Sequence, residues 1–235
     1  MDFVGKFKVF WELFIEQEGW VRVLKVGLVN TLLIAILGLL IGILIGTLIA
    51  AVKVMPKYKR WARILDKVCT VYVGFFRGTP LVVQLLITYY VLWPLMGISI
   101  PSLTTAIIVF GLNSAAYVSE IMRSGILSVD HGQMEAGRAV GLSYRTTMMQ
   151  IVIPQAIKNI LPTLGNEFIA LIKETAVVGY VGAVDITYAF QYQGSNSYEY
   201  MVPYLVMALI YMVLVAGIVA LVKLMERRLR RSDRV

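Results

Sequence analysis

Val26–Val52 reads VGLVNTLLIAILGLLIGILIGTLIAAV and contains no charged residue. At about 1.5 Å of rise per residue, a helix of that length crosses the roughly 30 Å hydrocarbon core of a bilayer. The rest of the chain agrees with this reading. Of its 235 residues, 59% are hydrophobic and only 15% charged, and the mean hydropathy is +0.77. Soluble domains carry about 25% charged residues, so composition alone places the chain in a membrane. Working outward, further apolar segments fall at about 68–96, 101–123, 148–174 and 202–222. The pattern predicts an all-α integral membrane protein with five transmembrane helices.

Loop charge sets the orientation. Segment 53–67 holds Lys53, Lys57, Lys59, Arg60, Arg63 and Lys67 against Asp66 alone. The C-terminal tail, 226–235, brings Arg227, Arg228, Arg230, Arg231 and Arg234, just after Lys223, against Glu226 and Asp233. The connection between spans two and three has no charge, and that between spans four and five only Asp185 and Glu199. Basic loops stay in the cytoplasm, so the N-terminus is expected outside and the C-terminus inside. The net charge of +8 is then met by anionic lipid headgroups, with no need for nucleic acid.

Residues 1–24 form a separate N-terminal segment ahead of the membrane domain, 25–225. It mixes Lys6, Lys8 and Arg22 with Asp2, Glu12, Glu16 and Glu18, and the apolar run after it is too long for a cleaved signal. Phe3, Phe7, Phe10, Trp11 and Phe14 recur at helical steps on one face, predicting an amphipathic interfacial helix on the outer surface. Within span one, Gly38, Gly42, Gly46 and Ala50 make a small-residue stripe, suited to close helix packing within the subunit or to a subunit interface.

Polar groups at membrane depth are costly and mark functional candidates. Arg77-Gly78-Thr79-Pro80 interrupts span two, because proline lacks a backbone donor and glycine loosens the helix. Arg77, Thr79 and Gln84 then surround an unwound point. Arg77 is suited either to hold a substrate carboxylate bidentately or to snorkel to lipid phosphate. Asn113, Tyr117, Glu120 and Ser124 share one face of span three, where Glu120 and Arg123 are spaced to pair. Asn113 lies deeper and is the contact candidate. Span four holds Gln155, Lys158, Asn159, Asn166 and Glu167, too many polar groups to face lipid. Glu167 has no cation within one turn and requires either a substrate ammonium or a partner on another helix.

Several chemistries are excluded. No Gly-rich segment ending in Gly-Lys-Ser/Thr is present, so the chain has no P-loop for ATP. Cys69 and His131 are each the sole residue of their type; neither an internal disulfide, a metal cluster nor a Ser–His–Asp arrangement can be assembled. No cofactor and no enzymatic activity are expected.

One polar gap remains, about 130–147. Glu135-Ala136-Gly137, then Gly141, and nine residues later Ile151-Val152-Ile153-Pro154 resemble the EAA motif of ABC importer permeases. Gly137 and Ile153 depart from that motif while keeping size class. Phe76–Pro80, Leu112–Tyr117 and Leu164–Phe168 are similar to segments of the polar amino acid branch, the histidine/glutamine/arginine permease family, and the likeness spans roughly 20–225. The resemblance implies a type I transmembrane subunit in the cytoplasmic membrane of a prokaryote. Its expected partners are two copies of an ABC ATPase, a second permease (itself or a paralogue), and an extracellular or periplasmic amino acid-binding protein. Glu135, Ala136, Gly137, Arg138 and Gly141 would form the coupling helix that docks into the ATPase. Arg77, Thr79, Gln84, Asn113, Asn166 and Glu167 are the candidate contacts for a polar amino acid. An ion-coupled secondary transporter is the alternative; such proteins usually show an internal repeat, and none is found between the two halves.

Overall fold

The computed structural model describes residues 2–231, with no strand among them. Helix α1 (Phe3–Trp11) starts where the Asp2 carboxylate accepts the Gly5 N–H at 3.0 Å. A π-helical turn and a left-handed Glu18 (φ 57°) lead into α2 (Gly19–Val54). After a basic connection come α3 (Arg60–Gly78) and α4 (Leu81–Leu95), which meet at 102°. Next are α5 (Ser102–Leu127) and the short α6 (His131–Ala139). Helical turns over Tyr144–Thr147 and Met148–Val152 open into α7 (Ile153–Glu174). A 3₁₀ stretch, Thr175–Val181, precedes α8 (Ile186–Ser197) and α9 (Met201–Arg231). Asp233 and Arg234 of the expected tail lie outside the described residues.

Helices α2, α5 and α9 are each long and apolar enough to cross a membrane, and α3 with α4 makes a fourth such unit if the bent pair is one span. Helix α7 is long enough, but its polar residues keep it out of that set. Helix α9 runs on to Arg231, past the expected end of span five at 222, and two helix starts differ from the sequence expectation. Helix α2 begins before Val26 because Arg22 stacks over the Tyr192 ring at 3.8 Å and Lys25 lies 5.8 Å from the Trp20 ring centroid, so the charged turn is held by aromatic partners. Helix α3 begins at Arg60 rather than 68, because its first turns bury Ala62 while Lys57 pairs with Asp66 at 2.7 Å.

The core is built on α5, which is buried on nearly every side. The small-residue stripe of α2 lies directly against it. A Cβ added at Gly42 would fall 2.7 Å from Ser114 Oγ, and one at Gly46 2.9 Å from the Ala115 carbonyl and the Val118 side chain. The stripe therefore packs two helices of one subunit. Around this seam Ile34, Ala35, Leu85, Ala106, Phe110, Leu171 and Ile172 form the main apolar cluster, drawn from α2, α4, α5 and α7.

The N-terminal aromatic face divides. Phe10 is buried with Val23, Ile186, Phe190 and Val202, and Phe14 stacks on Phe190 with ring centroids 6.1 Å apart. Phe3, Phe7 and Trp11 stay exposed, so α1 rests on the protein with one edge and offers the other outward. Lys6 pairs with Glu199 at 3.1 Å. The Met201 N–H and this ammonium hold the Glu199 carboxyl below its ordinary value.

Replacing Gly46 by leucine inserts a branched side chain into the α2–α5 seam, and overpacking of this kind costs about 1–3 kcal/mol or more. Thermal unfolding of the purified protein is expected to shift downward for Gly46→Leu. An unchanged midpoint would contradict the seam.

Candidate functional site

Pro80 has no N–H, so α3 stops at Gly78 and leaves carbonyls without intrahelical donors. Side chains supply the donors. The Thr79 hydroxyl donates to the Phe75 carbonyl at 2.8 Å. Gln84 Nε2 donates to the Phe76 carbonyl at 2.9 Å and to the Thr79 carbonyl and hydroxyl at 3.1 and 2.9 Å. From α5, Asn113 Nδ2 reaches the Phe76 carbonyl at 3.2 Å and Gln84 Oε1 at 3.0 Å. Gln84 and Asn113 are 6% and 4% exposed. The three residues expected to contact cargo thus have much of their hydrogen-bonding capacity committed to the broken backbone. Beside the break is an apolar cavity of about 240 Å³ that includes Phe75, Phe76, Val83, Trp93 and Leu112.

Two charged candidates meet the adjoining turn of α5. Ser114 Oγ donates to Glu167 Oε1 at 2.9 Å, and the Arg77 guanidinium lies over the Tyr117 ring, 5.4 Å from its centroid. One turn of α5 thereby contacts the helix break through Asn113, α7 through Ser114 and the end of α3 through Tyr117. Glu167 has its partner on another helix, and that partner is a neutral hydroxyl; among the described residues no cation pairs with it. Arg77 stands at the far end of α3 from Arg60, roughly 25 Å along the axis at ~1.5 Å per residue. Asn166 is exposed beside Glu167.

Two partners were not evident in the sequence. Ser114 sits one residue from Asn113 and points to α7 rather than to the break, which only the packing of α7 reveals. Glu120 does pair with Arg123 at 2.8 Å, as the spacing suggests, and also with Lys53 at 2.6 Å. Lys53 lies on α2, and its charge carried loop information alone until the helices were placed.

Of the motif residues, Glu135, Ala136, Gly137 and Arg138 lie on α6, while Gly141, expected on the same helix, falls just past its end. Asp130 caps its start by accepting the Gly132 N–H at 2.6 Å. At its end the Leu142 N–H donates to the Gly137 carbonyl and the Gly141 N–H to the Arg138 carbonyl, both at 3.0 Å, a Schellman closure with Gly141 at φ +87°. Gly137 faces Thr147, and a Cβ there would lie 2.5 Å from Thr147 Cγ2; this close packing accounts for glycine where the motif has alanine. Gln155 donates to Gln133 at 3.3 Å and Asn159 to Ser128 at 2.9 Å, tying α6 and the end of α5 to α7. Glu135, Ala136, Arg138, Ala139, Val140 and Gly141 remain exposed.

A polytopic helical membrane subunit with a broken internal helix and a rigid surface helix is the architecture of a membrane transport component. The chain belongs to the family of binding-protein-dependent transport system inner membrane components, whose model matches residues 38–231. It is 44% identical over 162 residues to the arginine transport system permease protein ArtQ of Bacillus subtilis, covering 69% of this chain and 74% of that one. It is 36% identical over 224 residues to the L-cystine transport system permease protein TcyB of the same organism, covering 94% and 92%. Among solved structures, a chain of an amino acid ABC transporter crystallised with histidines aligns over 97% of this chain and 99% of its own, with TM-score 0.82 and 39% identity. A chain of the inward-facing MetNI methionine transporter aligns over 92% and 98% with TM-score 0.71; at 21% identity it supports the fold alone.

Asn113→Leu leaves the buried Gln84 carbonyl oxygen without its donor, a loss of about 1–3 kcal/mol. A lowered unfolding midpoint is expected for this variant, whereas equal stability to the parent would refute the bracing role.

Proposed function

We propose that this chain is the permease subunit of an importer that moves a polar amino acid across the cytoplasmic membrane by alternating access, driven by ATP hydrolysis in a separate subunit. The observation that carries the reading is α6. It is capped at both ends, tied to α7 through Gln133 and Gln155, and exposes the small residues Ala136, Ala139 and Gly141 beside Glu135 and Arg138, a surface a soluble partner can approach closely. The names of the similar permeases, for arginine and L-cystine, support an amino acid as cargo.

In this reading two ATPase subunits grip α6 and its counterpart on a second permease, either this chain again or a paralogue. Nucleotide binding closes the ATPase pair, draws the docked helices together and rocks the spans from inward- to outward-facing. An extracellular or periplasmic binding protein then releases its amino acid into the opened cavity. The reading takes α7 as a fifth span, with the N-terminus outside and the basic C-terminus inside. Helix α7 faces protein and the pathway rather than lipid. Arg77 is offered to the carboxylate of the cargo and Glu167, with Asn166 beside it, to the ammonium. Thr79, Gln84 and Asn113 contribute by holding the break open between them.

Uptake in proteoliposomes is expected to require the co-purified ATPase and internal ATP; uptake driven by an ion gradient alone would sink the reading. Glu135→Lys and Gly141→Trp are expected to uncouple ATP hydrolysis from uptake while the protein still inserts, and normal transport in both would discard the docking assignment. For the cargo contacts, Arg77→Ala and Glu167→Ala are each expected to abolish substrate-stimulated transport. Wild-type uptake at saturating substrate would return that residue to a structural role.

A further inference from the structure

Helix α3 carries a feature that the transport reading does not use. Arg60, Arg63 and Lys67, at helical steps of three and four, fall on one stripe. With Ile64 they line a shallow groove of about 310 Å³. Among the described residues none of these three cations is in an ion pair: Asp66, the nearby acid, lies about a quarter-turn round the helix and is held by Lys57 at 2.7 Å. No acidic residue occurs from Cys69 to Gly78 to compensate them further along the helix.

The same stripe continues into an apolar strip. Ile64, Val68, Val71 and Phe75 are between 58% and 73% exposed, and from Ile64 among the cations to Phe75 they run along about 16 Å of axis at ~1.5 Å per residue. Gly74 interrupts the strip with a notch, where an added Cβ would meet nothing within 4 Å. The opposite face of α3 is engaged by the protein: Ala62 and Val73 are buried, and the Tyr72 hydroxyl donates to the Leu112 carbonyl at 2.7 Å. Trp61, exposed beside the cations, adds an aromatic at the level where ring systems settle between water and lipid.

A cluster of unpaired cations followed along one face by an apolar strip matches the two ends of one molecule, an anionic phospholipid. We propose that α3 holds such a lipid, with the headgroup phosphate on Arg60, Arg63 and Lys67 and an acyl chain along Ile64, Val68, Val71 and Phe75. A zwitterionic lipid offers the same tail, but its headgroup carries its own cation against the three on the helix. The lipid packs on the exposed side of the helix whose far end carries Arg77 and the break. Its occupancy thus sets how firmly α3 is seated and makes transport sensitive to the anionic lipid content of the membrane.

The test uses the complete transporter, permease with its ATPase, in nanodiscs and vesicles containing either phosphatidylcholine alone or phosphatidylcholine with phosphatidylglycerol at equal ionic strength. Native mass spectrometry is expected to show phosphatidylglycerol retained by the parent protein. The triple variant Arg60→Gln/Arg63→Gln/Lys67→Gln is expected to lose it, at about fivefold in affinity for each charge removed. A second triple, Lys8→Gln/Lys25→Gln/Lys223→Gln, removes equal charge elsewhere and is expected to retain the lipid. The double variant Val71→Ser/Phe75→Ser, with all three cations in place, is expected to weaken retention through the tail. Phosphatidylglycerol is also expected to raise ATP-driven uptake by the parent and not by the first triple variant. Equal lipid retention by the two triple variants, or α3 cross-linking through Ile64→Cys to a second permease copy, would overturn the proposal. Lipid retention is read without transport, so it distinguishes failure of the lipid site from failure of the transport reading.

Discussion

The close approach of α2 and α5 governs the rest of the molecule. Glycines at 42 and 46 let the backbone of α2 come so near that a methyl group at either position would overlap Ser114, Ala115 or Val118. A wider seam would separate Ser114 from α2 and change the direction in which its hydroxyl points. That hydroxyl donates to Glu167, so the spacing of two apolar helices sets the surroundings of a carboxylate on a third. Dispersion contacts are individually weak but fall off steeply with separation, and a seam built on glycine therefore defines its spacing sharply.

The break between α3 and α4 is a second constraint, and it differs in kind. A helix turned by 102° inside a membrane protein exposes carbonyl groups that lipid cannot satisfy. Gln84 meets this need with one amide reaching three acceptors, while Asn113 ties the arrangement to α5. A fully bonded polar network of this sort is stiff, since each member that moves leaves others unpaired. The bend is accordingly a fixed structural element rather than a loose hinge, and Arg77 projects from one of its fixed ends.

Much of the architecture was legible along the chain because its signals are local. The uncharged run from Val26, the Arg-Gly-Thr-Pro interruption and the Glu-Ala-Gly spacing each depend on neighbouring residues alone. Helix starts were less legible. Trp20–Lys25 and Arg60–Lys67 are amphipathic, and their charge conceals helix from a reading tuned to apolar length. The glycine stripe signalled a close neighbour without naming it, since any helix can fill such a groove. The N-terminal aromatics read as one outward face, whereas its division between protein and exterior depends on Phe190 and Val202, distant in sequence. Among the site residues, the partners of Glu167 and Gln84 were hidden for the same reason: Ser114 and Asn113 are adjacent in sequence yet reach different helices.

The geometry also bears on how a push at α6 would reach the charged pair of helices under the proposed function. Helix α6 is not joined to the core by a flexible tether. Gly137 packs on Thr147, Gln133 bonds Gln155, and the end of α5 bonds α7 through Ser128 and Asn159. These contacts attach α6 to the turn after it and to α7, which carries Glu167, and attach α7 in turn to the end of α5, which carries Ser114. A displacement imposed on α6 would pass to α7 and, through the Asn159–Ser128 bond, to the end of α5, the two helices joined by the Ser114–Glu167 contact. Packed interiors change by moving between discrete arrangements rather than by stretching. The bent α3–α4 unit is itself tied to α5, through Tyr72 to the Leu112 carbonyl, Trp93 to Thr105 and Asn113 to Phe76 and Gln84, so a movement of α5 would carry the break with it, while Arg77 meets Tyr117 by a ring contact alone.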